Sequence, residues 1–146
     1  MTTRTVHRVV PFTPEQIFDL VADVERYPEF VPWWAAAHIT AREDGVYYTD
    51  QIVRIALLRL RFATKTSLVR PCRIDVTSAD RAFRRFHVGW TFEALAGRRC
   101  DVGLTMTFQL RSRLLQEISA AFLEGAPARL ISAFESRARQ TCHKPA

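Results

Sequence analysis

The chain opens on a strand-like stretch, Arg4 to Val10, that stops before Pro11. Thr13-Pro14-Glu15-Gln16 then carries three helix-start signals: a capping Thr13, Pro14 at the first helical position, and Gln16 closing a capping box. Ile17, Leu20, Val21 and Val24 follow at helical spacing, and Pro28 predicts an end near Arg26. From Ala36 to Leu110 the period falls to two. Asp44-Gly45 reads as a hairpin turn between His38–Arg42 and Val46–Ile55. In Leu58–Val69, Leu58, Leu60, Phe62, Thr64, Thr66 and Leu68 share one face, with Arg59, Arg61 and Lys65 on the other. Ile74, Val76 and Ser78 continue on a fifth strand after Pro71. Phe86, Val88, Trp90 and Phe92 alternate on a sixth, and Val102, Leu104, Met106, Phe108 and Leu110 on a seventh. Such alternation predicts an antiparallel sheet with one wet face and one covered face.

The cover is the last element. Leu114, Leu115, Ile118, Ala121, Phe122, Leu130, Ala133 and Phe134 recur at helical spacing over about seven turns, a helix on the order of 40 Å long. Gly125-Ala126-Pro127 interrupts the run and predicts a kink or break. Strand, short helix, six strands and long helix make an α+β helix-grip fold: a curved antiparallel sheet of about seven strands wrapped around a long C-terminal helix, with an internal cavity wherever facing side chains fail to fill the space. With 146 residues, and no internal repeat or linker, the whole of 1–146 reads as one domain.

Tyr27-Pro28-Glu29-Phe30-Val31-Pro32-Trp33-Trp34 belongs to neither period. Four aromatics and two prolines exclude a regular helix and a central strand, and so apolar a segment must cover the core, a pocket mouth or a membrane surface. Trp33 and Trp34 are adjacent, so one is expected to close a pocket and the other to face a lipid or partner.

Composition adds less. Hydrophobic residues are 48% and charged residues 25%, which is globular and not disordered. No apolar run reaches the length of a membrane span, the start of the chain does not read as a signal peptide, and three unpatterned cysteines (Cys72, Cys100, Cys142) suit a reduced cytoplasmic setting. Net charge is +6, from nineteen arginines and two lysines against fifteen acids, which points to anionic lipid or nucleic acid or to a GC-rich genome. His7, His38, His87 and His143 are scattered, so no metal site is expected, and neither a serine-hydrolase elbow nor a phosphate loop is present. Asp19 and Asp23, one turn apart, read as a solvated helix face. Thr64, Thr66 and Ser78 on the covered face leave two readings open: hydroxyls bonded to their neighbours in a filled core, or hydroxyls facing water or a ligand with oxygens.

Val9-Val10-Pro11-Phe12-Thr13-Pro14-Glu15-Gln16-Ile17-Phe18, then Asp23 through Trp33, resemble the coenzyme Q-binding START-like proteins and the related RatA-type ribosome association toxins. Gly89-Trp90-Thr91-Phe92 and Phe108-Gln109-Leu110-Arg111-Ser112 match later blocks of the same family, so the resemblance covers nearly the whole chain. Two positions depart from it: Trp34 stands where a small residue or cysteine is usual, and Arg81-Ala82-Phe83 replaces Gly-Pro-Phe. The resemblance implies a non-enzymatic binder of ubiquinone or a similar isoprenoid lipid that supports respiratory electron transfer, with no catalytic cofactor. It would act in the cytoplasm, peripheral to the inner membrane. A ribosome-binding factor is the alternative, a polyketide cyclase or aromatase a third, and DNA is not among the expected partners.

On this reading the ligand pocket is expected from Phe62, Thr64, Trp90, Phe92, Met106, Phe122 and Phe134, gated by the Tyr27–Trp34 segment, whose Phe30, Pro32, Trp33 and Trp34 also meet the ligand. The turn at Leu57, with Leu58, Arg59 and Arg61, reads as an apolar tip ringed by arginines and suits docking on an anionic leaflet, unless Leu57 folds back over the core.

Overall fold

The computed structural model describes residues 2–142. Seven strands form a single antiparallel sheet in the order β1-β7-β6-β5-β4-β3-β2. The strands are β1 (Thr2–Val10), β2 (Trp34–Glu43), β3 (Val46–Ile55), β4 (Leu58–Val69), β5 (Arg73–Thr77), β6 (Phe83–Leu95) and β7 (Arg99–Leu110). A short helix, α1 (Pro14–Ala22), and a 3₁₀ segment, Val24–Glu29, follow β1, and one long helix, α2 (Arg113–Thr141), closes the described chain. This is the helix-grip architecture.

Local chemistry sets these boundaries. The Thr13 hydroxyl accepts from the Gln16 amide (3.3 Å) and the Gln16 side chain accepts from the Thr13 amide (2.9 Å), so α1 starts on a complete capping box. At its other end the last carbonyls are taken by tyrosines from outside: the Tyr27 hydroxyl donates to the Val21 carbonyl and the Tyr47 hydroxyl to that of Ala22 (2.9 Å). The aromatic segment is more ordered than its prolines suggest, because Pro28 is accommodated inside the 3₁₀ turn and Trp34 already belongs to β2.

Two expectations for α2 need correction. The break expected as one outcome at Gly125-Ala126-Pro127 does not occur, since the helix is continuous there. Pro127 is buried and removes one donor, and Arg129 reaches back to bond the Phe122 carbonyl (3.0 Å) within the affected turn. The second concerns its apolar face. The side turned to the interior is Leu115, Ser119, Phe122, Leu123, Ala126, Leu130 and Phe134, whereas Leu114 (65% exposed), Ile118 (44%) and Ala121 lie on the flank, which no other described element covers.

The inner faces of α1, β6, β7 and α2, with Val24 and Tyr27 of the 3₁₀ segment, Tyr47 of β3 and Ile74 of β5, supply the main core. At its centre the Phe134 ring meets Tyr27 (5.1 Å), Phe30 (5.1 Å) and Trp90 (5.2 Å), all edge to face. A smaller cluster, Val53, Ile55, Phe62, Phe83 and Leu110, with Leu115 packed against it, forms a second core near the β3–β4 turn. Ser78 lies beyond the end of β5 and its hydroxyl donates to the Ala63 carbonyl, so it belongs to a turn and not to the covered face.

Phe134→Ala is expected to cost about 3–5 kcal/mol, because it opens a void among three rings, and urea denaturation measures the loss. Burial pushes the Tyr47 phenol up to about 12, above the ordinary phenol value of about 10. The folded protein therefore holds a proton that the unfolded chain gives up: this contribution is whole below pH ~10 and is lost as pH rises toward ~12. Tyr47→Phe is expected to flatten that part of the stability–pH curve, at the cost of the bond to the Ala22 carbonyl.

Candidate functional site

Between the sheet and the N-terminal half of α2 the side chains do not meet completely. They leave a cavity of about 80 Å³, bounded by apolar residues from β3, β4, β6, β7, α2 and the 3₁₀ segment. That is roughly half the volume of an engineered cavity that holds one benzene. None of its lining residues is Asp, Glu, His, Lys, Arg or Cys.

Polar groups gather on one wall. The Gln51 side chain accepts from the Trp34 indole N–H (3.0 Å) and donates to the hydroxyls of Thr49 (2.9 Å) and Thr64 (3.3 Å), which bond each other. All three residues are buried, as is Thr66. Among the described residues no buried side-chain N or O atom lacks a partner. The two open readings of the threonines thus meet in one arrangement. Thr64 is bonded to its neighbours, while Gln51 and Thr66 also border the cavity. Tyr27 and Tyr47 line it too, both neutral at physiological pH because burial raises their phenols. The wall is therefore polar but uncharged, and its donors are already engaged: the two phenols on α1 carbonyls and the Gln51 amide on Thr49 and Thr64.

The sequence-derived pocket residues divide into three groups. Trp33, Trp34, Phe62, Trp90, Met106 and Phe122 line the cavity. Thr64 sits behind Gln51 in the polar wall, and Phe92 and Phe134 are buried in the main core, away from the lining. Phe30 and Pro32 instead border a separate open groove on the outer side of α2, with Glu29, Arg129 and Arg137. Both tryptophans border the cavity, against the expectation that one would turn away. A bulge after Trp34 re-aims the strand there, and Trp33 reaches both the cavity and the outer groove. Residues missing from the expected set are Tyr47, Thr49 and Gln51. Their signal was the period-two run Tyr47, Thr49, Gln51, Val53, Ile55, all buried in β3.

The aromatic segment is strapped to α2 from outside. Arg137 bonds Glu29 (2.7 Å) and covers the Phe30 ring (5.0 Å), while Arg129 lies over Phe122 (4.8 Å) and Trp33 (5.8 Å), whose rings meet at 5.4 Å. At the β3–β4 turn, Leu57 is fully exposed and does not fold back, and Ala56 takes a positive φ of 54°. Two members of the expected docking tip differ in place: Leu58 is half-buried, and Arg61 is paired with Asp50 (3.1 Å).

Other candidate chemistry is spent in the fold. Asp19 is held by Arg70 through two bonds (2.9 and 3.0 Å) and Asp23 by Arg26 (3.1 Å). His87 bonds Asp75 (3.0 Å) on the outer face of the sheet, where a hydrogen bond from Arg73 holds the Asp75 carboxyl below its usual range. His143 lies outside the described residues, among which no cluster of three or more His, Cys, Asp or Glu comes together to hold a metal. Burial pushes the Cys100 thiol up to about 11 and makes it a poor nucleophile. No described helix is long and apolar enough to cross a membrane.

Comparison with known proteins agrees with this geometry. The family described as polyketide cyclase / dehydrase and lipid transport matches residues 10–135. The ribosome association toxin RatA of Pseudomonas aeruginosa is 30% identical over 132 residues, 90% of this chain and 92% of that protein. A mitochondrial coenzyme Q-binding protein COQ10 homolog B of Xenopus laevis is 26% identical over 135 residues, 90% of this chain and 55% of that protein. Among solved structures, the 18 kDa protein CC1736 of Caulobacter crescentus is 35% identical with a TM-score of 0.78, covering 96% of this chain and 97% of its own. A START superfamily protein of Mycobacterium smegmatis, at 19% identity, shares the fold with a TM-score of 0.79 over 94% of this chain and 97% of its own. The chain belongs to the polyketide cyclase / dehydrase and lipid transport family.

Proposed function

We propose that this protein is a non-enzymatic carrier of ubiquinone or a similar isoprenoid lipid, serving respiratory electron transport from the cytoplasmic face of the inner membrane. The observation that carries the reading is the cavity: apolar on nearly every side, with Gln51, Thr66 and the tyrosine hydroxyls as its polar groups. An isoprenoid tail matches the aromatic and aliphatic lining, and a quinone carbonyl would take over a donor, such as the Gln51 amide, that now bonds within the wall. The coenzyme Q-binding relative supports the same ligand class. The free volume is too small for the ring as the side chains stand, so loading requires the strap of Phe30 to Trp34 to loosen from α2.

Ribosome association is the second reading, favoured by the 30% identity to RatA and by the net charge of +6. On that reading arginines contact RNA phosphates, and cosedimentation with ribosomal subunits falls steeply with salt. A cyclase reading has weaker support: a proton-transfer enzyme needs a group poised near neutrality, and the cavity lining contains no acid, histidine or lysine.

Mass spectrometry of the organic extract, from protein purified out of a ubiquinone-producing host, tests the proposal. Near-stoichiometric ubiquinone is expected in the wild type, and at least about tenfold less in Gln51→Leu, which keeps the volume but removes the amide. Folded wild-type protein whose extract holds no quinone or other lipid would sink the carrier reading.

A further inference from the structure

Resting on the carrier reading, we infer that the end of the molecule formed by the β3–β4 turn and the first turns of α2 is a docking surface for an anionic lipid bilayer, placed so that the cavity faces the membrane. Three observations meet there. First, the register sets Arg54 directly opposite Arg59 across the hairpin, one pair before the closing Ile55–Leu58 pair. Like charges in directly opposed positions destabilise a sheet, and neither arginine forms an ion pair among the described residues. An anionic surface removes that cost. Second, the same end exposes apolar side chains: Leu57 at the turn, with Leu114 and Ile118 spaced four apart along the uncovered flank of α2. Arg113 beside them is also without an ion pair, and Glu117 is the one acid in the first two turns. Third, the surface is continuous with the cavity. Ile55, beside the turn, and Leu115, beside Leu114, pack on one small core with Phe83 and Leu110, and Ile55, Phe83 and Leu110 also line the cavity.

The combination selects a bilayer over other polyanions. RNA phosphates would satisfy the arginines and leave Leu57, Leu114 and Ile118 in water; a second protein copy would cover the leucines but bring another Arg54–Arg59 pair toward the first. A leaflet takes both, apolar side chains among the acyl chains and guanidiniums at the headgroups. A ligand as apolar as an isoprenoid then passes between bilayer and cavity without crossing water.

Cosedimentation of the full chain with phosphatidylcholine vesicles, with and without phosphatidylglycerol, tests the inference. Each arginine near an anionic surface is worth about fivefold in binding, so Arg54→Gln/Arg59→Gln is expected to weaken binding to the anionic vesicles about twenty-fold. Leu57→Asp/Ile118→Asp is expected to lose at least about tenfold. All four side chains are exposed, so both variants should keep the wild-type melting temperature. Wild-type protein that ignores phosphatidylglycerol would overturn the inference, as would either double variant binding like wild type. Loss of poly-uridine binding in the arginine variant, with vesicle binding unchanged, would reassign the patch to RNA. Dissociation of a wild-type dimer by the leucine variant, again with vesicle binding unchanged, would reassign it to self-association. Quenching of tryptophan fluorescence by a short-chain ubiquinone added in solution separates this from the carrier reading: the docking variants keep it, whereas wild-type protein that binds vesicles but shows no quenching retains the docking surface and loses the quinone.

Discussion

The contact of Phe134 with Tyr27, Phe30 and Trp90 is the constraint on which the rest of the architecture depends. One side chain of α2 touches the sheet through Trp90 and the aromatic segment through Tyr27 and Phe30, and so fixes three elements at once. Each edge-to-face pair contributes on the order of 1 kcal/mol beyond the area it buries. The same helix is packed through Leu115 and Ser119 in its first turns, and around its middle Phe122, Leu123, Ala126 and Leu130 face a space that the sheet does not fill. The cavity is the space that remains.

Two tyrosine hydroxyls extend the same logic. Tyr27 and Tyr47 end α1 by taking its last carbonyls, and their rings then form part of the cavity wall. Helix termination, core packing and site construction are therefore done by the same side chains. That economy explains why the polar groups around the cavity are neutral. A charged group at these buried positions would lack a counterion, since the lining contains none.

Much of this was legible in the sequence because period and capping are local. The Thr13–Gln16 box, the turn at Asp44-Gly45 and the alternation from Phe86 to Phe92 each declared an element from a few residues. Depth was not legible. Trp90 and Phe92 share a face and differ only in whether space lies in front of them, which depends on how far α2 stands off. Phe30 and Pro32 carry no period, so nothing local fixed their side of the helix. A stripe of apolar residues on a long helix states which way it faces but not how much of it is covered, hence the exposure of Leu114 and Ile118. The turn between Ile55 and Leu58 was legible, but the direct opposition of Arg54 and Arg59 across it is a matter of register, which the structure supplies.

The tightness of the cavity has a kinetic meaning. On the carrier reading, a molecule larger than a few waters enters or leaves only when Trp33, Phe122 and Arg129, which covers both, move apart, so opening of the protein enters its residence time. On that reading the strap of aromatic rings, and not the cavity wall, is where exchange would be controlled.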